Sequence, residues 1–137
     1  MKALKLFHQA AKLGYAEAYT SIGIAYDVGK GVEIDEKKAT HYYELAAIGG
    51  NVEARYSLGI EEAQAGNFDR ALKHYMIAVG SGNSDSLQSI QRLYSHGYVT
   101  KEVYTNALQS YQAYLGEIKS DQRDKAAACS KRDFRYY

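Results

Sequence analysis

Small and apolar residues recur along the chain at three- and four-residue steps, the period of one face of an α-helix. In residues 36–49 the string is Ala39, Tyr43, Ala46 and Ala47, followed by Gly50. It stands upstream as Ala3, Phe7, Ala10, Ala11 and Gly14, and downstream as Ala71, Tyr75, Ala78, Val79 and Gly82, then as Ala107, Tyr111, Tyr114 and Leu115. The leading alanines are 36, 32 and 36 residues apart. A second helical face is interleaved with the first. Ala18, Ile22, Gly23 and Tyr26 are matched by Ala54, Leu58, Gly59 and Glu62, then by Ser86, Ile90, Gln91 and Tyr94, again at steps of 36 and 32. A period of this length built of two helices marks an α-solenoid, whose units bury their faces against one another.

The pattern predicts helices over 2–13, 15–28, 36–49, 51–65, 68–81 and 84–96, and a long one after Thr100, about seven in all. It divides the chain into a half repeat over 1–14, repeats over 15–50, 51–82 and 83–118, and a helical extension with a tail over 119–137. The middle repeat is short because its turn contracts: Tyr26 to Ala39 and Tyr94 to Ala107 each span 13 residues, Glu62 to Ala71 only 9. Asp35, Asn51, Asn67 and Asn83 stand where N-caps belong, and Gly50, Gly66 and Gly82 where left-handed helix ends belong. Gly23 and Gly59 fall inside helices, where glycine costs ~1 kcal/mol relative to alanine. Their presence there predicts a contact too close for a Cβ. The helix over 2–13 lacks its usual first partner, so the spacing predicts that the chain starts inside a longer array.

Residues 16–50 follow the pattern A-x-A-x-x-x-[LI]-G-x-x-Y-x-x-G-x-G-V-x-x-D-x-x-K-A-x-x-Y-x-x-x-A-A-x-x-G, which resembles the Sel1-like repeat, a subclass of the tetratricopeptide-like helical repeats. Residues 51–82 keep Leu58-Gly59 and the stretch from Ala71 to Gly82, while GNFDRALKHY is closer to an ordinary tetratricopeptide turn. Residues 83–118 keep Gly97, Val99 and the pair Ala107 and Tyr111. The resemblance implies an all-α, right-handed superhelical solenoid of antiparallel helix pairs. It further implies a protein-interaction scaffold or adaptor, as in signalling, with no shared catalytic residues and no cofactor. An RNA-binding helical array and a small-ligand-binding or hydrolytic relative are the alternatives.

Composition sharpens this picture. The 137 residues carry 17 Lys and Arg against 16 Asp and Glu, a net charge of +1. That balance supplies no basic groove for nucleic acid, and no stretch approaches the ~20 apolar residues of a membrane span. A lone Cys129 makes no intramolecular disulfide and points to a reducing compartment such as the cytosol. Zero prolines, 12 glycines and 14 tyrosines suit helices separated by glycine turns and wedged by aromatic rings. The tail from Lys119 is basic: Lys119, Arg123, Lys125, Lys131, Arg132 and Arg135 against Asp121, Asp124 and Asp133 give +3.

Candidate chemistry is sparse. His41 and Glu44 lie three apart on a helix, a spacing for a shared metal or proton, but a solvent-facing polar pair explains them better. His8, His74 and His96 occupy non-equivalent repeat positions, which argues against a built metal site. Lys125 and Lys131 near Cys129 could lower its pKa, yet KAAACSKR reads more simply as an alanine-rich helix end. Gly29-Lys30-Gly31-Val32 is a repeat turn without the remaining phosphate-loop spacing.

Two surfaces remain. The first helices of the repeats project Thr20, Ile24 and Asp27, then Tyr56, Ile60 and Ala63, then Gln88, Arg92 and Ser95, a groove suited to a peptide or helix. Leu4, Phe7 and Ala11 at one end, with Tyr111, Tyr114, Leu115 and Ile118 at the other, offer apolar faces to a second copy and predict a homodimer.

Overall fold

The computed structural model describes residues 15–135, with side chains through residue 128. Among the described residues there are six α-helices and no strand: α1 (Ala16–Val28), α2 (Glu36–Ile48), α3 (Val52–Gln64), α4 (Phe68–Gly80), α5 (Ser84–Ser95) and α6 (Lys101–Arg135). Each agrees with its expected span to within a residue or two. The seventh expected helix, over 2–13, lies outside the described residues.

Local chemistry sets the boundaries. The side chains of Asp35, Asn51 and Asn83 accept from the amides of Lys38, Ala54 and Ser86 at 3.1, 2.8 and 2.6 Å, satisfying amides that the first helical turn leaves unpaired. Asn67 departs from this expectation. Its side-chain amide donates to Glu62 Oε2 at 2.9 Å and leaves α4 without a side-chain cap. The short turn explains the difference, since Asn67 is drawn back onto the last turn of α3. Gly50, Gly66 and Gly82 adopt φ of +92°, +82° and +94°, the left-handed conformation that glycine enters without a Cβ penalty.

Consecutive helices pack as hairpins, and α4 packs against α6 as well. The core is made mostly of alanines with tyrosines between them: Ala39, Tyr43, Ala46 and Ala54 in one cluster, Ala71, Tyr75, Ile90 and Ala107 in the next. A Cβ added at Gly23 would lie 2.7 Å from the Tyr43 ring, and one at Gly59 would lie 2.6 Å from the Tyr75 ring. The close approach expected at both glycines is therefore made by a tyrosine of the following helix. Each ring occupies the space a Cβ would need, and both tyrosines are 3% exposed.

In the third repeat Gln91 replaces the glycine and Tyr111 is only half-buried. Helix α6 then continues far beyond the repeat it closes. Its 35 residues span ~52 Å at 1.5 Å per residue, and every residue from 119 to 128 is exposed.

Candidate functional site

The structure divides the expected groove residues. On α1, Thr20 is buried, its hydroxyl donating to Ala16 O at 3.2 Å, whereas Ile24 and Asp27 are exposed. On α3, Tyr56, Ile60 and Ala63 pack against the cluster around Ala71 and Tyr75, and the Tyr56 ring centroid lies 6.0 Å from that of Tyr75. On α5, Gln88, Arg92 and Ser95 are exposed. Tyr56 and Ile60 are thus partly buried against the core, whereas Ile24 is exposed.

The open surface between α1 and α3 is lined instead by residues near the ends of both helices. At the N-terminal ends, Glu17, Thr20 and Ile24 face Val52 and Glu53 across a cleft of about 450 Å³. At the C-terminal ends, Asp27, Glu36, Thr40, Glu61 and Gln64 line a second cleft of about 350 Å³. The pairing of N-terminal with N-terminal and C-terminal with C-terminal ends makes α1 and α3 parallel neighbours. Five carboxylates line the two clefts, and no Lys, Arg or His does.

Two of the acids are held in place by hydrogen bonds. The Tyr43 hydroxyl donates to Asp27 Oδ2 at 3.3 Å, and the Thr40 hydroxyl lies 2.8 Å from Glu61 Oε2. Burial pushes the Tyr43 phenol well above its usual value, with Asp27 adding to the shift. Burial likewise raises the Glu61 carboxyl above 4.5; Thr40 opposes this, and the charges of Asp27, Glu36 and Glu44 reinforce it. Negative charge is therefore concentrated at this end of the groove, where a cation would relieve it.

The sequence carries a matching asymmetry. Residues 15–66 hold nine carboxylates and four bases, net −5, while residues 67–137 hold seven carboxylates and ten bases, net +3. The three lysines of residues 1–14 restore the overall +1. Repeat register could have flagged part of the groove, because Glu17, Glu53 and Asp85 are equivalent positions 36 and 32 residues apart. Acids in a first turn also favour the helix dipole, and that common role concealed them. Glu36 and Glu61 reach the groove from different elements, and no sequence spacing relates them.

The other candidates are placed as follows. His41 meets the edge of the Tyr42 ring, at 5.3 Å between centroids. His74 Nδ1 lies 3.4 Å from Arg55 Nη1, and burial together with that guanidinium lowers its pKa. His96 Nδ1 is 2.8 Å from Arg92 O in its own helix turn. Among the described residues, no three His, Cys, Asp or Glu side chains gather as metal ligands. The Cys129 side chain, like His8, Leu4, Phe7 and Ala11, lies outside the described part. At the opposite end Tyr111 and Ile118 are half-buried, Leu115 is 38% exposed, and the Tyr114 ring lies over Gly82. Among the described residues, no helix is long and apolar enough to cross a membrane.

Comparison with known proteins follows the repeat geometry. The model of the Sel1 repeat matches residues 1–15 and 16–51. The DAP3-binding cell death enhancer 1 of Rattus norvegicus is 33% identical over 98 residues, covering 69% of this chain and 19% of that protein. Protein sel-1 homolog 2 of Homo sapiens is 34% identical over 79 residues, covering 53% of this chain and 11% of that protein. The chain thus spans a fifth or less of the length of these relatives. The crystal structure of a Sel1 repeat protein from Oxalobacter formigenes superposes with a TM-score of 0.64 at 25% identity, over 88% of this chain and 49% of that one. A protective antigen of uropathogenic Escherichia coli with an SLR fold gives 0.66 at 24% identity, over 78% of this chain and 25% of that one. Sel1 repeats generally serve as protein-interaction scaffolds. With its interleaved helix pairs, glycine turns and right-handed solenoid architecture, this chain belongs to the Sel1-like repeat family.

Proposed function

We propose that the chain is a non-catalytic interaction scaffold that engages protein through its helix faces and pairs with a second copy of itself. Helix α6 carries this reading. It closes the third repeat and then continues through residues 119–135; the turns over 119–128 are exposed and gain little from their own hydrogen bonds alone. A helix of this kind is stabilised by a partner. At its point of departure, Tyr111, Leu115 and Ile118 leave an incompletely covered apolar seam, and the expected face of Leu4, Phe7 and Ala11 adds a second. A relative named for binding DAP3 supports a repeat that engages protein. The lone Cys129 suits a reducing compartment, and the cytoplasm is the proposed location.

Size-exclusion chromatography with light scattering tests the pairing. The expected mass rises with concentration toward twice the 15.3 kDa chain, and Leu115→Glu combined with Ile118→Glu returns it to one chain. A wild-type mass of one chain at every concentration overturns the homodimer.

A further inference from the structure

From the groove and the free end of α6 we infer that the acidic groove between α1 and α3 receives the basic extension of α6 from a second copy of the chain. The inference rests on the self-association proposed above and adds a charged contact to the apolar faces named there.

The groove offers two features at once. Its floor carries an apolar spot, with Ile24 43% exposed and Val52 half-buried beside it. Around and beyond that spot stand Glu17, Glu53, Asp27, Glu36 and Glu61. Among the described residues none of these carboxylates forms an ion pair, since the one described pair is Lys125 with Asp121 at 3.1 Å. The occupant that fits is a helix with a small apolar surface bordered by bases.

The extension of α6 has that form. At 100° per residue, Lys119, Arg123, Ala126 and Ala127 fall on one helix face, and all four are exposed. Asp121, Asp124 and Lys125 lie on the other side, where Lys125 neutralises Asp121. The bases facing away from Asp121 are thus left for a partner. Ala126 and Ala127 are small enough to let the helix approach Ile24 and Val52 closely. The lengths also agree. The 13-residue helices α1 and α3 provide ~20 Å of groove, which the extension from 119 to 135 spans.

The contact must come from another copy. α1 packs on α2 at one end of the solenoid, whereas α6 packs on α4 and α5 at the other, and α6 is a single continuous helix. It cannot turn back to its own groove. Reciprocal exchange between two copies fills both grooves and closes a two-fold dimer, whereas one-way exchange would leave an open chain.

Charge reversal with a mixing arm provides the test. Glu17→Lys with Glu53→Lys forms one variant of the full chain and Lys119→Glu with Arg123→Glu the other. The folding of each is checked by circular dichroism and melting temperature. Each variant alone is expected to self-associate about 10-fold more weakly or worse, from the loss of two exposed ion pairs and the added repulsion. An equimolar mixture is expected to recover mass, because in mixed pairs the reversed groove meets a reversed tail. Raising salt from about 0.05 M to about 0.5 M weakens the wild-type pair. If both reversed variants keep the doubled mass, the groove inference falls while the homodimer stands. If the wild type never exceeds one chain, both fall and the groove is left to a foreign basic partner.

Discussion

The first two complete repeats place a bare glycine under a tyrosine ring, Gly23 beneath Tyr43 and Gly59 beneath Tyr75, and bury the ring almost fully. The third repeat has lost that arrangement. Gln91 points into solvent and Tyr111 is half-buried. Ser86, where the other repeats carry Ala18 and Ala54, is fully buried, and its hydroxyl finds no hydrogen-bond partner. The contrast separates two uses of the same scaffold. Where glycine lets a ring lie on the backbone, the helices are fixed to each other and can present a groove of defined shape. In the third repeat, where that glycine is gone, α6 still packs on α4 and α5 with the Tyr114 ring over Gly82, and it runs on past the repeat it closes.

The strongest way to break this contrast is to make one substitution at both sites. Gly59→Leu drives a side chain into the Tyr75 ring and is expected to destabilise by about 3 kcal/mol. Gln91→Leu meets no ring and should stay within about 0.5 kcal/mol of wild type. Urea unfolding of the two variants decides the matter, and equal losses would remove the lock from the explanation.

Ser86→Ala sharpens the comparison from the other direction. Restoring the alanine of the other repeats removes an unsatisfied buried hydroxyl and is expected to gain about 1 kcal/mol, read as a higher urea midpoint with unchanged slope. A loss would mean that the hydroxyl contributes a bond.

The smallest effect concerns the groove. The folded state raises the Glu61 carboxyl above 4.5, so the folded chain holds that proton more tightly than the unfolded one. The associated stability is fully present below pH 4.5 and is lost as pH rises through the folded value. Glu61→Gln should therefore melt slightly higher than wild type at pH 7, with the gap closing on acidification. A gap that is constant with pH would contradict the electrostatic origin.

Much of the fold was legible in the sequence, because alanine, tyrosine and glycine at fixed offsets leave few other ways to pack two helices per repeat. The glycines inside helices even signalled a close contact, though the atoms making it belong to Tyr43 and Tyr75. The groove was harder to read. Ile24 and Asp27 are exposed, while Tyr56 and Ile60 obey the same helical spacing and are partly buried against the cluster around Tyr75, a contact made by α4 that the spacing of α3 alone does not contain. Glu36, Thr40 and Glu61 come together only once α2 and α3 pack. Asn67 shows the same limit, because its capping role was decided by the shortened turn that brings it to Glu62.

The most direct measurement is hydrogen exchange followed by mass spectrometry at low and high chain concentration. If the locked repeats supply the groove and the extended helix fills it, amides of residues 119–135 and of the facing turns of α1 and α3 become slower to exchange together as concentration rises. Those of α4, held by Gly59 and Tyr75, stay slow throughout. Doubling of the mass with exchange over 119–135 unchanged would contradict the account and place the contact elsewhere on the solenoid.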